Sequence, residues 1–351
     1  MMYDSFPDLV TAYFEEYLKG KASYSRCVYL AAPWISTLTA APTRTELLAR
    51  HQIKGQGHFQ PGATHANNEL ALVRTICRWG MYHERWAGGD PTAGIKKWKC
   101  KRRKTCADQD QISKLLTHFL GAASAEAIRD RALFGMMLFT GCRPSEARTT
   151  RLDAITPYRG GMGRWDKGKT KNGDEQVLPL PTQLMPWIAA WKTIRSESVQ
   201  VSETGLFKKN CYLFPGQAFD EPVSMDWVGK RWHQIRLMAR ITGLWNYDLR
   251  RTLVCHMGNE LNYSEQKIKA IINHKDGSEF GHYSFMTFDA LVGPIQHYAD
   301  WLWGLRQESQ GGVVPHGNGV DHQPLAVVVP MPPPVPIAYR PRSYEREEWP
   351  G

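Results

Sequence analysis

The chain lacks any apolar run near the roughly 18 residues that a membrane-spanning helix needs. Its longest, ALFGMMLF at 132–139, has the length of a core-helix segment. The opening stretch MMYDSFPDLV has no basic region followed by an apolar one, so no secretory signal is expected. No C-x-x-C pair occurs. The seven cysteines (Cys27, Cys77, Cys100, Cys106, Cys142, Cys211 and Cys255) are odd in number and scattered. Cys100 and Cys106 flank a basic run, but no histidine or cysteine cluster completes a zinc site. Reduced thiols in a cytoplasmic protein are therefore expected, with no metal.

Acidic residues are the other shortage. Against 44 Lys+Arg stand 34 Asp+Glu, a net charge of +10. That balance fits a polyanionic partner. With no membrane segment, nucleic acid is the stronger candidate. A hydrophobic content of 42% and a charged content of 22% are ordinary for a globular protein. A length of 351 residues favours two domains.

Residues 1 to about 95 carry helical periodicity. DLVTAYFEEYL repeats apolar residues at Leu9, Tyr13, Tyr17 and at Val10, Phe14, Leu18. NNELALVRTICRWGMYHERW puts Leu70, Val73, Cys77 and Met81 on one face, with Asn67 a possible cap. GGDPTAG at 88–94 then breaks the helix. Next comes KKWKCKRRK at 96–104, seven cations in nine residues. Such crowding predicts a strap that lies on phosphates through Lys96, Lys97, Lys99, Lys101, Arg102, Arg103 and Lys104, a solvated linker being the alternative. The expected division is 1–104, a helical DNA-binding domain ending in the strap; 105–310, a second domain; and 311–351, a tail. Nine prolines beyond residue 311 predict a disordered or polyproline extension.

Within 105–310 the pattern is helical except after Ile155. There, glycines and turn dipeptides predict a small antiparallel sheet. TGCRPSE at 140–146 ends one helix at Gly141 and starts another with Pro144 at its first position. Arg143 then sits at a helix N-terminus, which favours an anion, and Glu146 can orient it. KTKNGDEQVLPL at 169–180 reads as strand, turn at Asn172–Gly173, and returning strand, with Lys171 at the hairpin edge. In NYDLRRTLVCHM, 246–257, Asp248 is the expected cap, and Arg250 shares a face with Val254 and Met257. A guanidinium there demands an anionic partner. Arg251 points to another face. NHKDGSEFGHYSF holds His274 and, nine residues on, Tyr283.

The order Arg143, Lys171, Arg250, His274, Tyr283, in the wordings TGCRPSE, TKNGDEQVLPL, YDLRRT and NHK, resembles the catalytic domain of the tyrosine recombinases, the phage-integrase family. The resemblance spans about residues 108–305 and is strongest to integrases of prophages and genomic islands. It implies a mainly α fold with a small antiparallel β-sheet in the catalytic domain, and two domains clamped on duplex DNA. It further implies a 3′-phosphotyrosine made by Tyr283, a phosphate clamped by Arg143 and Arg250, Lys171 as general acid and His274 as a phosphate partner. A homo-tetramer on double-stranded attachment sites and a possible DNA-bending accessory protein follow in the same way, as does a bacterial or phage origin. No cofactor is implied, because the phosphotyrosine conserves the bond energy; no nucleotide-binding glycine loop is expected. The segment after Tyr283 would dock on a neighbouring protomer, and the helix TFDALVGPIQHYADWLWGL, with Trp301 and Trp303, is its candidate, packing in cis being the alternative.

One departure stands out. Where the family usually has histidine, giving HDLRRT, this chain has Tyr247. A phenol donates a hydrogen bond to phosphate but is a poor base at neutral pH. Two further readings stay open: a catalytically impaired DNA-binding protein on the same fold, and a type IB topoisomerase-like enzyme.

Overall fold

The structure, a computed structural model, describes residues 2–3, 5–21, 23–37, 43–56, 62–100, 104–121, 123–169, 175–197, 212–216, 221–274 and 286–309. The chain divides into two compact units, Met1–Arg103 and Lys104–Gly351. The proline-rich stretch at 311–351 lies outside the described residues.

In the first unit, Ser5 caps α1 (Phe6–Tyr13) by accepting from the Asp8 amide. A single π-turn, Phe14–Leu18, continues it. Helices α2 (Tyr24–Thr37), α3 (Arg44–Gln56) and α4 (Gly62–Tyr82) follow. The expected apolar faces are the buried ones. Leu9, Val10, Tyr13, Phe14 and Leu18 pack with Leu70, Val73, Ile76 and Cys77, whereas Tyr17 is exposed. Helix α1 crosses α4 at Gly80, where a Cβ would stand 2.6 Å from Leu9 Cδ1 and 2.8 Å from Trp86 Cβ, so a side chain there would force its neighbours to shift.

Two sequence expectations fail here. Helix α4 ends at Tyr82, before GGDPTAG. Asn67 is not its cap but lies inside it, with its side chain turned to the strap. Asn67 Oδ1 accepts from the Trp98 amide and its Nδ2 donates to the Trp98 carbonyl, both at 2.9 Å. Trp98 Nε1 donates to the His51 carbonyl at 3.1 Å. Residues 96–100 are thus fastened to α3 and α4, with Trp98 half-buried and Lys96, Lys97 and Lys99 exposed.

The second unit is mainly helical and carries a three-stranded antiparallel sheet in the order β1 (Ile155–Pro157), β2 (Gly163–Lys169), β3 (Glu175–Leu180). Its helices are α5 (Gln109–Gly121), α6 (Ala125–Thr140), α7 (Pro144–Arg148), α8 (Met185–Glu197), α9 (Met225–Met238), α10 (Asp248–Asn259), α11 (Glu265–Ile272) and α12 (Phe288–Ser309). Helix α6 is buried at every position from Ala132 to Thr140, so it forms the centre on which the others pack.

Strand β2 alternates. Gly163 and Trp165 are buried, Arg164 and Asp166 exposed. The register Trp165↔Leu178 and Asp166↔Val177 shifts before Lys169↔Glu175, and the bulge is accommodated by Gly168 at φ +60. GRWDKGKT, 163–170, does have the spacing of a nucleotide-binding glycine loop, against expectation. Since its residues 163–169 are strand β2 and β3 comes next, it cannot form the loop-to-helix cradle that phosphate binding requires.

Helix α12 carries Trp301 and Trp303 but packs in cis. Leu291, Ile295, Tyr298, Ala299, Leu302 and Leu305 are buried in the core of its own unit. Among the described residues no helix is long and apolar enough to cross a membrane.

Candidate active site

Helix α6 ends at Gly141, whose left-handed backbone (φ +62) lets its amide donate to the Met137 carbonyl at 3.0 Å. Arg143 follows as the N-cap of α7, with Pro144 at the first helical position. Glu146, three residues on, reaches back in capping-box fashion: Oε2 accepts from the Arg143 amide at 3.1 Å and Oε1 from Arg143 Nη1 at 2.7 Å. The Arg143 side chain is 17% exposed and that of Glu146 9%, so this is not the ordinary solvated surface pair.

Arg250 lies on α10 and is half-buried. Its anchors are carbonyls rather than the carboxylate a buried cation usually finds. Nη1 donates to Gly141 O at 3.0 Å and Nη2 to Ile272 O at 2.6 Å. Burial lowers the pKa of the guanidinium, and the nearby charge of Arg143 lowers it further. The fold has therefore set two like charges side by side with only part of their donor capacity used. That arrangement favours an oxyanion.

The expected cap of α10 is displaced by one residue. Tyr247 is the N-cap, without a side-chain capping bond, and Asp248 is the first helical residue. The Asp248 carboxylate accepts from the Trp245 amide at 2.8 Å and is ion-paired with Arg251. Tyr247 is 46% exposed at the start of the arginine helix. His274 is exposed just past α11, beyond Asn273 in the left-handed region (φ 49), and its amide donates to Lys269 O at 2.9 Å.

Lys171 and Tyr283 lie outside the described residues, as do Lys101, Arg102 and Arg103; Lys104 is described and exposed. The structure therefore brings together Arg143, Glu146 and Arg250, with Tyr247 next to Arg250 and His274 two residues beyond the carbonyl that Arg250 holds.

Sequence reasoning missed Lys167 and Gln176. Lys167 Nζ donates to Glu146 Oε2 at 3.2 Å and to Gln176 Oε1 at 2.9 Å. Gln176 Nε2 donates to the carbonyls of Ala270 and Ile271 at 2.9 and 3.1 Å. Burial pushes the Glu146 carboxyl upward, but Lys167 and Arg143 together outweigh it and hold the group below the usual value. For Lys167 burial dominates, lowering the ammonium pKa against the opposing pull of Glu146. Strand parity puts Lys167 on the inward face with Trp165, but only once β2 is paired with β3.

Cys142, buried beside this group, is no rival nucleophile, since burial pushes its thiol up to about 11. Tyr298 is excluded likewise, its phenol raised by complete burial.

A mainly helical unit with a small antiparallel sheet and a half-buried arginine pair places this chain in the recombinase class of folds. Residues 106–288 match the family model described as the phage integrase family. The chain belongs to the phage integrase family, the tyrosine recombinases. No curated protein sequence matches it. Among solved structures it is similar to a lambda integrase dimer bound to a COC′ core site, with 12% identity and a TM-score of 0.57 over 81% of this chain and 98% of that one. The Tn1549 transposon integrase in complex with circular intermediate DNA gives 12% identity and a TM-score of 0.58 over 83% and 99%. A lambda integrase tetramer bound to a Holliday junction gives 13% and 0.56 over 78% of each chain.

Proposed function

We propose that this protein is a site-specific DNA recombinase that integrates or excises a mobile element by cleaving and rejoining DNA strands. The observation that carries the reading is the pairing of Arg143, held by Glu146, with Arg250, held by Gly141 and Ile272. A phosphodiester bears one negative charge that grows toward two in a pentacoordinate transition state. Two preorganised guanidiniums stabilise that growth better than mobile ammonium groups.

In this mechanism the Tyr283 oxygen attacks the scissile phosphorus and gives up its phenolic proton, for which the His274 imidazole is available. The P–O5′ bond breaks, and the departing oxygen takes a proton from Lys171. The 3′-phosphotyrosine keeps the energy of the broken bond, so rejoining by the 5′-hydroxyl of another strand needs no nucleotide. The strap would hold backbone phosphates, its positive charge supplying affinity without sequence choice. Four protomers on two DNA sites would exchange the strands, in line with the tetramer seen for lambda integrase on a Holliday junction.

Tyr247 in place of the family's histidine favours a second reading, a DNA-binding protein with impaired catalysis. Covalent trapping on nicked DNA decides between them. The proposed enzyme leaves a protein–DNA adduct that Tyr283→Phe abolishes while binding persists. Absence of any adduct from the parent chain would establish the second reading, and an adduct that survives Tyr283→Phe would assign another nucleophile.

A further inference from the structure

Lys167 places a charge where solvation is least available. Its side chain is 2% exposed. All three ammonium protons have an acceptor, two on Glu146 and Gln176 and the third toward the face of Trp165, whose centroid lies 4.7 Å from Nζ. A well-packed apolar side chain would fill the same space without the desolvation penalty, so stability alone gives no reason for a lysine.

The partners on either side do give one. The Glu146 carboxylate that takes Lys167 on Oε2 takes Arg143 on Oε1. The Gln176 side chain that takes Lys167 on its oxygen holds the Ala270 and Ile271 carbonyls on its nitrogen, and the next carbonyl, of Ile272, receives Arg250. Lys167 thus joins the supports of both arginines.

We propose that Lys167 is a positioning residue for the phosphate clamp: its ammonium fixes Glu146 and Gln176, and through them the guanidiniums of Arg143 and Arg250. This rests on the reading that those arginines hold the scissile phosphate. Lys167 is not the proton donor, since its protons are engaged and its side chain is buried. A phosphate seated between the arginines adds negative charge near a buried ammonium, so loading the clamp favours the protonated form of Lys167. The geometry of the clamp and the charge of its occupant then reinforce one another.

The test uses the full chain and a duplex carrying the cleavage site mapped by covalent trapping, made in three forms. One has the ordinary phosphate, one a neutral methylphosphonate at the scissile position, and one sulfur in place of the bridging 5′-oxygen, which leaves as a thiolate and needs no proton. On the ordinary duplex Lys167→Met should slow cleavage about 10- to 100-fold. DNA affinity should hold within a factor of about three, because other phosphate contacts remain. On the methylphosphonate, which lacks the charge the arginines hold, the defects of Lys167→Met and of Arg143→Ala should both shrink. On the sulfur duplex the Lys167→Met defect should persist while that of Lys171→Ala disappears.

An Arg143→Ala defect that shrinks while that of Lys167→Met does not would overturn the inference and leave the clamp standing. If neither shrinks, the clamp reading itself fails. Rescue of Lys167→Met by sulfur would make Lys167 the acid, against the proposal. Should Lys167→Met not fold, Lys167→Gln carries the same comparison, and failure of both to fold would assign Lys167 to folding alone.

Discussion

The Arg250 guanidinium donates to the carbonyl of Gly141, two residues ahead of Arg143, at 3.0 Å. One arginine is therefore anchored on the turn from which the other projects. The turn exists because Gly141 adopts φ +62, and a Cβ there would meet Ile272 Cγ2 and Leu253 Cδ1 at 3.3 Å.

Gly141→Ala should cost about 1–2 kcal/mol from the left-handed backbone alone. The contact with Ile272 adds to this by pressing on the carbonyl that holds Arg250. We expect a lower thermal midpoint and slower single-turnover cleavage. An unchanged midpoint would show that the turn relaxes freely.

Arg250→Lys should fare little better than Arg250→Ala, each losing on the order of 3 kcal/mol of transition-state stabilisation. One ammonium cannot meet Gly141, Ile272 and a phosphate in the planar array that a guanidinium provides. Rates near the parent for the lysine variant would reduce Arg250 to a point charge.

Glu146 gives a pH signature. Its folded-state pKa lies below the ordinary 4.5, so its ion pairs contribute stability that is fully present above about pH 4.5. That contribution is lost as pH falls through the folded value. Urea midpoints of the parent and Glu146→Gln should therefore differ most near neutrality and converge in acid. A constant gap would mean that the carboxylate charge is not what stabilises.

Lys96, Lys97 and Lys99 face outward from a strap fastened at Trp98. Changing all three to Gln should weaken binding to every DNA sequence alike. The salt dependence should flatten by roughly 0.9 log units per lost phosphate contact. An unaltered slope would make these residues solvated bystanders.

Tyr247→Phe should slow cleavage modestly, through loss of a hydrogen-bond donor beside Arg250. Tyr247→His should be tolerated, and its pH–rate profile should gain a limb near pH ~6.5 if imidazole becomes the base. Abolition of cleavage by the Phe variant, with binding spared, would show that the phenol is essential.

Helical periodicity made Leu9, Val10, Leu70, Val73 and Cys77 legible as core, and the order of motifs made Arg143 and Arg250 legible as partners. What escaped were contacts set by tertiary context. Asn67 has the chemistry of a cap, but its amide matches the backbone of Trp98, far along the chain. Asp248 also has cap chemistry, yet the helix starts at it and its carboxylate turns back to Trp245. Lys167 sits in a lysine- and glycine-rich run that reads as solvent-exposed. Only the parity of β2 and its bulge turn it inward, and neither is fixed until β3 pairs.

The entry of the chain into the second unit has a consequence for how the protein is made. The Ala107 amide donates to Thr252 Oγ1 and its carbonyl meets His256 Nε2, partners 145 and 149 residues downstream. Both partners belong to the helix that carries Arg250. During synthesis from the N-terminus, the first residues of this unit must wait for the helix that carries Arg250 to emerge before their backbone groups are satisfied. Closing so large a loop is slow, since the contact rewards the chain only after its entropy has been surrendered. The unit should accordingly acquire its arginine pair late and all at once, and a nascent chain stopped short of α10 would carry Arg143 without Arg250 and so present no paired clamp to any DNA it meets.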